Sequence, residues 1–361
     1  MTLVNVLKSY PKIELTLQDF LDVEYVPLET STEFITMAII DDIGKDIIIF
    51  RNRNDGKIFI YDRKGRGLRV INRFGQGGEE YTFVLSVTLD EDNNEIFVND
   101  PSVSKIYVYD LFGEYKRSFE HKNGLFYNNI YNFDRDHLIC NDGNRDFGDE
   151  KKNMFLIISK QNGSIVREIQ IPYNEQKSTI LMVANDNLTI AAGARNKELI
   201  PYGEGWVLVE PSSDTIYSYS PDQNMIPFIV RTPSIQTMNP EVFLFPGVLT
   251  DRYYFMQTVK KEYDFSKDDG FPRTDLVYDK QTNAVYESVV YNGDFSNKIP
   301  VDMVYGGIAL LNNEIAFIYK MEAYQIVESY EKGELKGELK EIAAGLSEDS
   351  NPVIMIAKHK K

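Results

Sequence analysis

Lys57 to Asp62 (Lys-Ile-Phe-Ile-Tyr-Asp), the turn Lys64-Gly65, Leu68 to Phe74 and the run Gly75-Gln76-Gly77-Gly78-Glu79-Glu80-Tyr81 form the stretch that decides the fold. Aromatic and β-branched residues alternate on both sides of a glycine turn, which is the pattern of a hairpin with one face buried. The pattern recurs. Lys105 to Asp110 is followed by Phe112-Gly113 and Tyr115 to Phe119, and Phe155 to Lys160 by Asn162-Gly163 and Ser164 to Ile169. Thr215 to Ser220 precedes Asp222 and Ile226 to Val230, and Asp275 to Lys280 precedes Asn283 and Ala284 to Val290. Hairpins that recur at roughly forty to fifty residues, with no helix between them, predict the blades of a propeller.

Working outward, each blade needs four strands, a to d from the ring centre. Blade one reads as Phe34 to Ile40, Asp46 to Arg51, Lys57 to Asp62 and Leu68 to Phe74; blade two as Phe83 to Asp90, Glu95 to Asn99, Lys105 to Asp110 and Tyr115 to Phe119. Blade three begins near Asn128. The inner strands of blade four are either Thr179 to Ala184 with Leu188 to Ala192, or Leu188 to Ala192 with Trp206 to Val209, and periodicity does not choose between them. Blade five adds Phe243 to Leu249 and Tyr253 to Val259. Blade six has Met303 to Leu311, Glu314 to Lys320 and Pro352 to Lys358, and so lacks a strand. Residues 10–30 contain one, Val23 to Leu28, without a neighbour in sequence. Pairing it with blade six closes the ring and removes two open edges. Between Met321 and Asn351, Ala323, Ile326, Val327 and Tyr330, then Leu335, Leu339, Ile342 and Leu346, follow helical spacing around Gly333 and Gly337. The expectation is one all-β domain over 1–361: a six-bladed β-propeller of four-stranded antiparallel blades, with a helical insertion (321–351) in the last blade and an N-terminal strand closing the ring.

Of the 361 residues 43% are hydrophobic, with 23 Tyr and 21 Phe, enough for a large pleated core. A formal net charge of −16 argues against nucleic-acid binding, which depends on Lys and Arg displacing counterions. No transmembrane helix is expected, because the longest apolar stretch is broken at Asn312-Asn313-Glu314. Cys140 is alone within a buried-strand pattern and reads as an inert thiol. With only His121, His137 and His359, neither a polyhistidine metal centre nor a Ser-His-Asp triad is supported, and no cofactor is expected. Asp142-Gly143-Asn144-Arg145-Asp146 has the oxygen spacing of a calcium loop without its sixth-position glycine or twelfth-position glutamate, and reads as a polar loop. The glycine run after Phe74 leads into a strand, so it is not a phosphate cradle. Its glycines are expected to supply positive φ at the crossing between blades.

Val23 to Thr30, the Asp62 and Asp110 hairpins, the Gly75 to Tyr81 run and Asn351-Pro352-Val353-Ile354 together resemble the six-bladed, NHL-like β-propeller proteins of gut bacteria. The run departs from that family's Gly-Gln-Gly-Pro-Gly-Glu-Tyr by lacking the proline and one residue. The resemblance implies a periplasmic or cell-surface location, with any signal segment or lipid anchor removed from this chain, and it implies no catalytic residues.

In such blades the b–c loops and the crossings to the next blade emerge on one face. Asp142 to Asn153, Lys260 to Pro272 and the helical segment all occupy b–c positions, so that face is elaborated, and loops on a rigid scaffold are where binding residues concentrate. The candidates are Arg51, Arg73, Gln76, Glu79, Tyr81, His121 and Arg231, with Arg53, Glu80, Asp100, Arg145 and Asp294 beside them. The expected function is a non-catalytic binding protein presenting this face to a carbohydrate, peptide or protein. The alternatives are a hydrolase or lyase using Glu79 or Glu80 with an arginine, and a structural subunit docking through the amphipathic insertion.

Overall fold

The computed structural model describes residues 1–122, 125–143, 155–185, 188–194, 196–265, 270–305 and 314–360. The chain opens with strands β1 (Thr2–Asn5) and β2 (Lys12–Thr16), a single helical turn α1 (Leu17–Phe20) and β3 (Leu21–Pro27). Blade one follows as β4 (Ile39–Ile43), β5 (Ile47–Arg51), β6 (Ile58–Asp62) and β7 (Gly67–Ile71); blade two as β8 (Ser86–Asp90), β9 (Glu95–Asp100), β10 (Lys105–Asp110) and β11 (Tyr115–Glu120). Blade three is β12 (Tyr127–Asn132), β13 (His137–Asp142), β14 (Phe155–Ser159) and β15 (Ile165–Ile169). A separate hairpin, β16 (Ile180–Asn185) with β17 (Leu188–Gly193), precedes blade four: β18 (Leu199–Tyr202), β19 (Gly205–Leu208), β20 (Thr215–Tyr219) and β21 (Met225–Thr232). Blade five is β22 (Val242–Leu249), β23 (Tyr253–Lys260), β24 (Arg273–Asp279) and β25 (Ala284–Tyr291). Blade six has β26 (Ile315–Met321), helices α2 (Ala323–Glu331) and α3 (Gly337–Ala343), and β27 (Val353–His359). In blades one to five the four consecutive strands pair in order and antiparallel, and in blade six β26 and β27 pair antiparallel with the N-terminal β3, the arrangement of a six-bladed β-propeller.

The ring closes where the sequence predicts. β3 lies antiparallel to β27, with Val353 opposite Pro27, Met355 opposite Tyr25 and Ala357 opposite Val23. Tyr25, Val26 and Leu28 are buried in the clusters that join blade six to its neighbours. Asn351 clasps the junction. Its Nδ2 donates to the carbonyls of Glu29 (2.7 Å) and Phe34 (2.5 Å), and its Oδ1 accepts from Thr36 N (3.0 Å). Gly65, at φ +80°, turns the β6–β7 hairpin against the closing strand, and a Cβ there would lie 2.1 Å from the Pro27 carbonyl. Only glycine fits that contact.

The structure adds what the sequence reading lacked. β1 pairs in parallel with β21 and β2 in parallel with β25, so the N-terminal chain adds a fifth strand to blades four and five before it completes blade six. Val4, on the inward side of β1, is fully buried. Blade four keeps one strand of the second sequence alternative, Trp206 to Val209 overlapping β19, but its innermost strand is β18, while Ile180–Asn185 and Leu188–Gly193 pair only with each other among the described residues. The inner strand of blade one starts at Ile39, not Phe34, because side chains rather than a ladder take up the preceding backbone. Asn351 and Asn52 accept from the amides of Thr36 and Met37, and Thr36 Oγ1 accepts from Ala38 N. In the insertion Ile326, Leu335 and Leu339 are buried as expected, but Ser329 takes the inward place given to Tyr330, which is exposed. Cys140 is buried, and burial raises its thiol pKa. Of the inner strand expected at Met303 to Leu311, Met303 to Tyr305 form a bend rather than a strand and the rest lies outside the described residues, as does most of the Asp142 to Asn153 loop with Arg145.

Candidate functional site at the channel mouth

The sequential antiparallel blades put the b–c loops and the crossings on one face and the a–b and c–d turns on the other. A cleft of about 830 Å³ lies on the a–b face. It is lined by the a–b turns of three blades (Gly44-Lys45, Glu91-Asp92-Asn93, Asp134-Arg135), by Arg63 and Lys160 from c–d turns, and by Glu314 at the start of β26, with Asp42 and Tyr131 on the inner strands. Its size is that of a small-molecule site.

Polar contacts between neighbouring blades hold the lining. Asp42 at the end of β4 accepts from Leu89 N (2.8 Å), and Asn132 of β12 donates to the Leu89 carbonyl, so three inner strands are stitched in sequence. Glu91 accepts from Lys45 N (2.7 Å) and Asp46 N (3.1 Å), fastening the turn of blade one to that of blade two. Asn93 Nδ2 donates to Asp90 (2.8 Å), which also receives Lys160 Nζ at 2.5 Å. Arg63 donates to the Gly44 carbonyl (2.9 Å). Carboxylates outnumber cations in the lining, which makes the walls richer in hydrogen-bond acceptors, although Asp42, Asp90 and Glu91 are engaged just as Lys160 and Arg63 are.

Burial raises two adjacent carboxyls here. Asp41 is pushed up to about 6, burial outweighing the Arg51 guanidinium beside it, and Asp42 to about 7, burial outweighing the amides of Leu89 and Ile43. Because both folded-state values exceed the unfolded value near 4, the stability they contribute is full below that value and is lost as pH rises through about 6 to 7. His121 works the other way. Burial lowers it to about 4, so its contribution is present above the unfolded value near 6.5 and is lost as pH falls towards 4. Asp42→Asn should flatten the alkaline decline of melting temperature, and a decline as steep as the parent's would refute this assignment.

The structure distributes the residues singled out from the sequence as follows. Arg51 Nε lies 3.0 Å from both oxygens of buried Asp41. Arg73 reaches the neighbouring blade, donating to the Gly113 carbonyl (2.8 Å) and pairing with Glu114 at 3.2 Å. Tyr81 is fully buried; its hydroxyl donates to the Gly56 carbonyl (2.7 Å) and accepts from Arg73 N (3.1 Å). Gln76 and Glu79 are exposed in the glycine run, and the Glu79 carbonyl accepts from Tyr109. Glu80 folds back to accept from Gly77 N (2.8 Å). None of Gly75, Gly77 and Gly78 has positive φ; a Cβ at Gly75 would instead lie 2.0 Å from Glu80 Oε2. Gly75 thus leaves room for that carboxylate, while Gly78 faces open space and nothing in the structure requires glycine there.

Asp100 is saturated by Thr82, Phe83 and Ser102. His121 Nε2 lies 2.9 Å from Asn99 Oδ1, and its ring packs on Tyr127. Arg53 is exposed. Buried Arg231 touches Met238 Sδ, with Asp214 as its nearest charge influence, between blades four and five. Asp294 accepts from Tyr25 (2.7 Å) and Gln18 (2.9 Å), tying the N-terminal segment to the crossing into blade six. Arg73, Tyr81 and the Glu79 backbone thus come together, while Arg51, His121 and Arg231 each sit in a different contact. None of these residues lines the cleft. The cleft residues went unnoticed because they are turn residues of the repeat, Asp, Asn and Lys at a–b positions, which a single sequence cannot separate from ordinary turn chemistry.

No group of three or more His, Cys, Asp or Glu among the described residues is placed to hold a metal ion. No helix among them is long and apolar enough to cross a membrane.

Comparison with known proteins places this architecture. An exported-protein candidate from Bacteroides fragilis NCTC 9343 superposes with a TM-score of 0.68 at 14% identity, over 100% of each chain, a likeness of fold alone. A member of the DUF4221 family from Bacteroides vulgatus ATCC 8482 shares 10% identity over 94% of this chain and 98% of its own, at a TM-score of 0.42 too low to carry an argument. No curated protein matches. A family profile, a domain of unknown function named DUF4934, matches residues 2–358. The chain belongs to the DUF4934 family.

Proposed function

We propose that the protein is a non-catalytic binding protein of the cell envelope whose ligand site is the polar cleft at the a–b mouth of the propeller, and that the ligand is a neutral or amine-bearing oligosaccharide. The observation that carries this reading is the convergence of turns from three blades and the start of β26 on one cleft of about 830 Å³. Acceptor-rich walls suit vicinal hydroxyls and ammonium groups, and disfavour a carboxylated sugar. The envelope location is supported by the likeness to an exported-protein candidate.

A thermal-shift panel of neutral, amine-bearing and carboxylated oligosaccharides tests it. A ligand at a hundred times its Kd stabilises by about 2.7 kcal/mol, so a shift of several degrees is expected from members of the first two classes. The double variant Asp92→Ala/Arg135→Ala, which alters two exposed lining residues, should lose that shift at an unchanged melting point. Shifts from carboxylated sugars alone would reject the reading. One observation favours a hydrolase or lyase instead: Asp42 lines the cleft with its carboxyl pushed up to about 7, in the range of a general acid. Mass analysis of the same oligosaccharides after incubation separates the two, since binding leaves them intact.

A further inference from the structure

Towards its b–c loop, blade five breaks its own pattern. Phe255 and Val277, opposite each other on β23 and β24, are buried in the core shared with blade six, but the next row on the same side is polar. There Gln257 faces Asp275 across the ladder, and Ser288 stands on β25 one position beyond the Leu276–Glu287 pair. A pocket of about 190 Å³ opens over this row. The crossing into blade six bounds it, held where Val301 N donates to the Val290 carbonyl (2.8 Å) and Val248 N to the Met303 carbonyl (2.8 Å). That volume is below the range of drug-sized sites, about 300–1,000 Å³, and suits a smaller metabolite.

Two buried polar groups of the pocket lack partners. Gln257 is 2% exposed; its Nε2 donates to Asp275 Oδ1 (2.6 Å), and its Oε1 accepts no hydrogen bond. Ser288 is 7% exposed, lines the pocket and makes no side-chain hydrogen bond among the described residues. Hydrogen bonds left unmade at buried positions are costly, and a bound molecule can supply them.

Charge defines the molecule. The pocket's carboxylates are Asp275 and Asp302, and its cation is Arg273, two residues before Asp275 on β24. Asp302 Oδ1 caps the amides of Val304 (2.8 Å) and Tyr305 (2.9 Å), which fixes that carboxylate in place, and Lys197, on the chain entering blade four, bears on it electrostatically. Desolvation, with the Asp302 charge adding to it, holds the Asp275 carboxyl above its ordinary value. With both signs present, a plain cation or a plain anion satisfies one side of the pocket and opposes the other, whereas a zwitterion matches both. Phe255, Val290, Val301 and Met303 supply an apolar wall.

We propose that this pocket binds a free α-amino acid with an apolar side chain, its ammonium taken by Asp275 and Asp302, its carboxylate by Arg273 and its side chain by the apolar wall. This goes beyond the oligosaccharide reading of the a–b cleft and does not depend on it.

Isothermal titration calorimetry of the full chain with L-leucine, L-methionine and L-phenylalanine tests it, each beside its decarboxylated and its deaminated analogue (isoamylamine and isocaproate for leucine). At least one amino acid is expected to bind, and its two analogues about tenfold or more weakly. Asp275→Asn and Arg273→Gln, at exposed positions of β24, should each weaken the amino acid about tenfold or more at an unchanged melting temperature, and Arg273→Gln should leave the amine analogue as it was. Asp92→Ala/Arg135→Ala, in the a–b cleft, should bind the amino acid as the parent does. The proposal is overturned if none of the three amino acids binds at millimolar concentration, if an analogue binds as tightly as its amino acid, or if either single variant retains parent affinity.

Discussion

Removing residues 1–28 is expected to abolish the cooperative unfolding transition, whereas removing residues 1–10 should leave a folded propeller that melts several degrees lower. The two truncations differ in what they uncover. The shorter one strips β1 from the outside of blade four and forfeits the burial of Val4 and Val6, at roughly 1.5–3 kcal/mol for each buried side chain. The longer one also removes β3, and with it the burial of Leu21, Tyr25, Val26 and Leu28. It takes the partner edge from β27 and cuts the chain immediately before Glu29 and Thr30, the residues that Asn351 clasps. At the same rate that is roughly another 6–12 kcal/mol, an upper bound that already spans the range of a domain's entire stability, about 5–15 kcal/mol. Circular dichroism melting of both truncations checks the result. An unchanged melting point in the longer truncation would mean that the ring does not depend on its N-terminal strand.

Lys160→Met is expected to cost about 3–5 kcal/mol, more than any single exposed charge in the protein. Lys160 and Asp90 have side chains only 4% and 6% exposed and meet at 2.5 Å. Their partners lie on different blades, since Asp90 ends the inner strand of blade two and Lys160 follows the third strand of blade three. Loss of the ammonium leaves a carboxylate buried with only Asn93 to satisfy it. Lys160→Met/Asp90→Leu should recover most of the loss, because replacing both charges removes the uncompensated one. Urea unfolding of the three variants measures it, and a single variant as stable as the parent would refute the role of the pair. Arg117, by contrast, is partly exposed while it links Glu95 (2.8 and 2.7 Å) to the Lys160 carbonyl, so its loss should cost less.

The blades were legible because hairpin periodicity and turn glycines are local, and the closing strand because blade six was visibly one strand short. Blade four was not legible. Ile180–Asn185 and Leu188–Gly193 alternate as well as any blade strand, and only their lack of a third partner among the described residues shows them to be a separate hairpin. The parallel addition of β1 and β2 was hidden for a related reason, since an outer strand needs only one buried side and short segments such as Thr2–Asn5 carry little period. Loop length pointed to the b–c face, but a cleft forms where turns converge, and convergence is a property of the ring that no single turn encodes. Arg and Tyr in the glycine run stood out by type, while their hydrogen bonds to Gly113 and Gly56 bind backbone across and within blades.

Hydrogen exchange, compared with and without the most stabilising oligosaccharide of the panel, locates the site directly. Protection is expected at the a–b turns around Lys45 and Asp46, Glu91 to Asn94 and Asp134 to Asp136, with the b–c face unchanged. Protection confined to the glycine run and the Pro101 to Ser104 loop would contradict the assignment of the binding site to the a–b mouth.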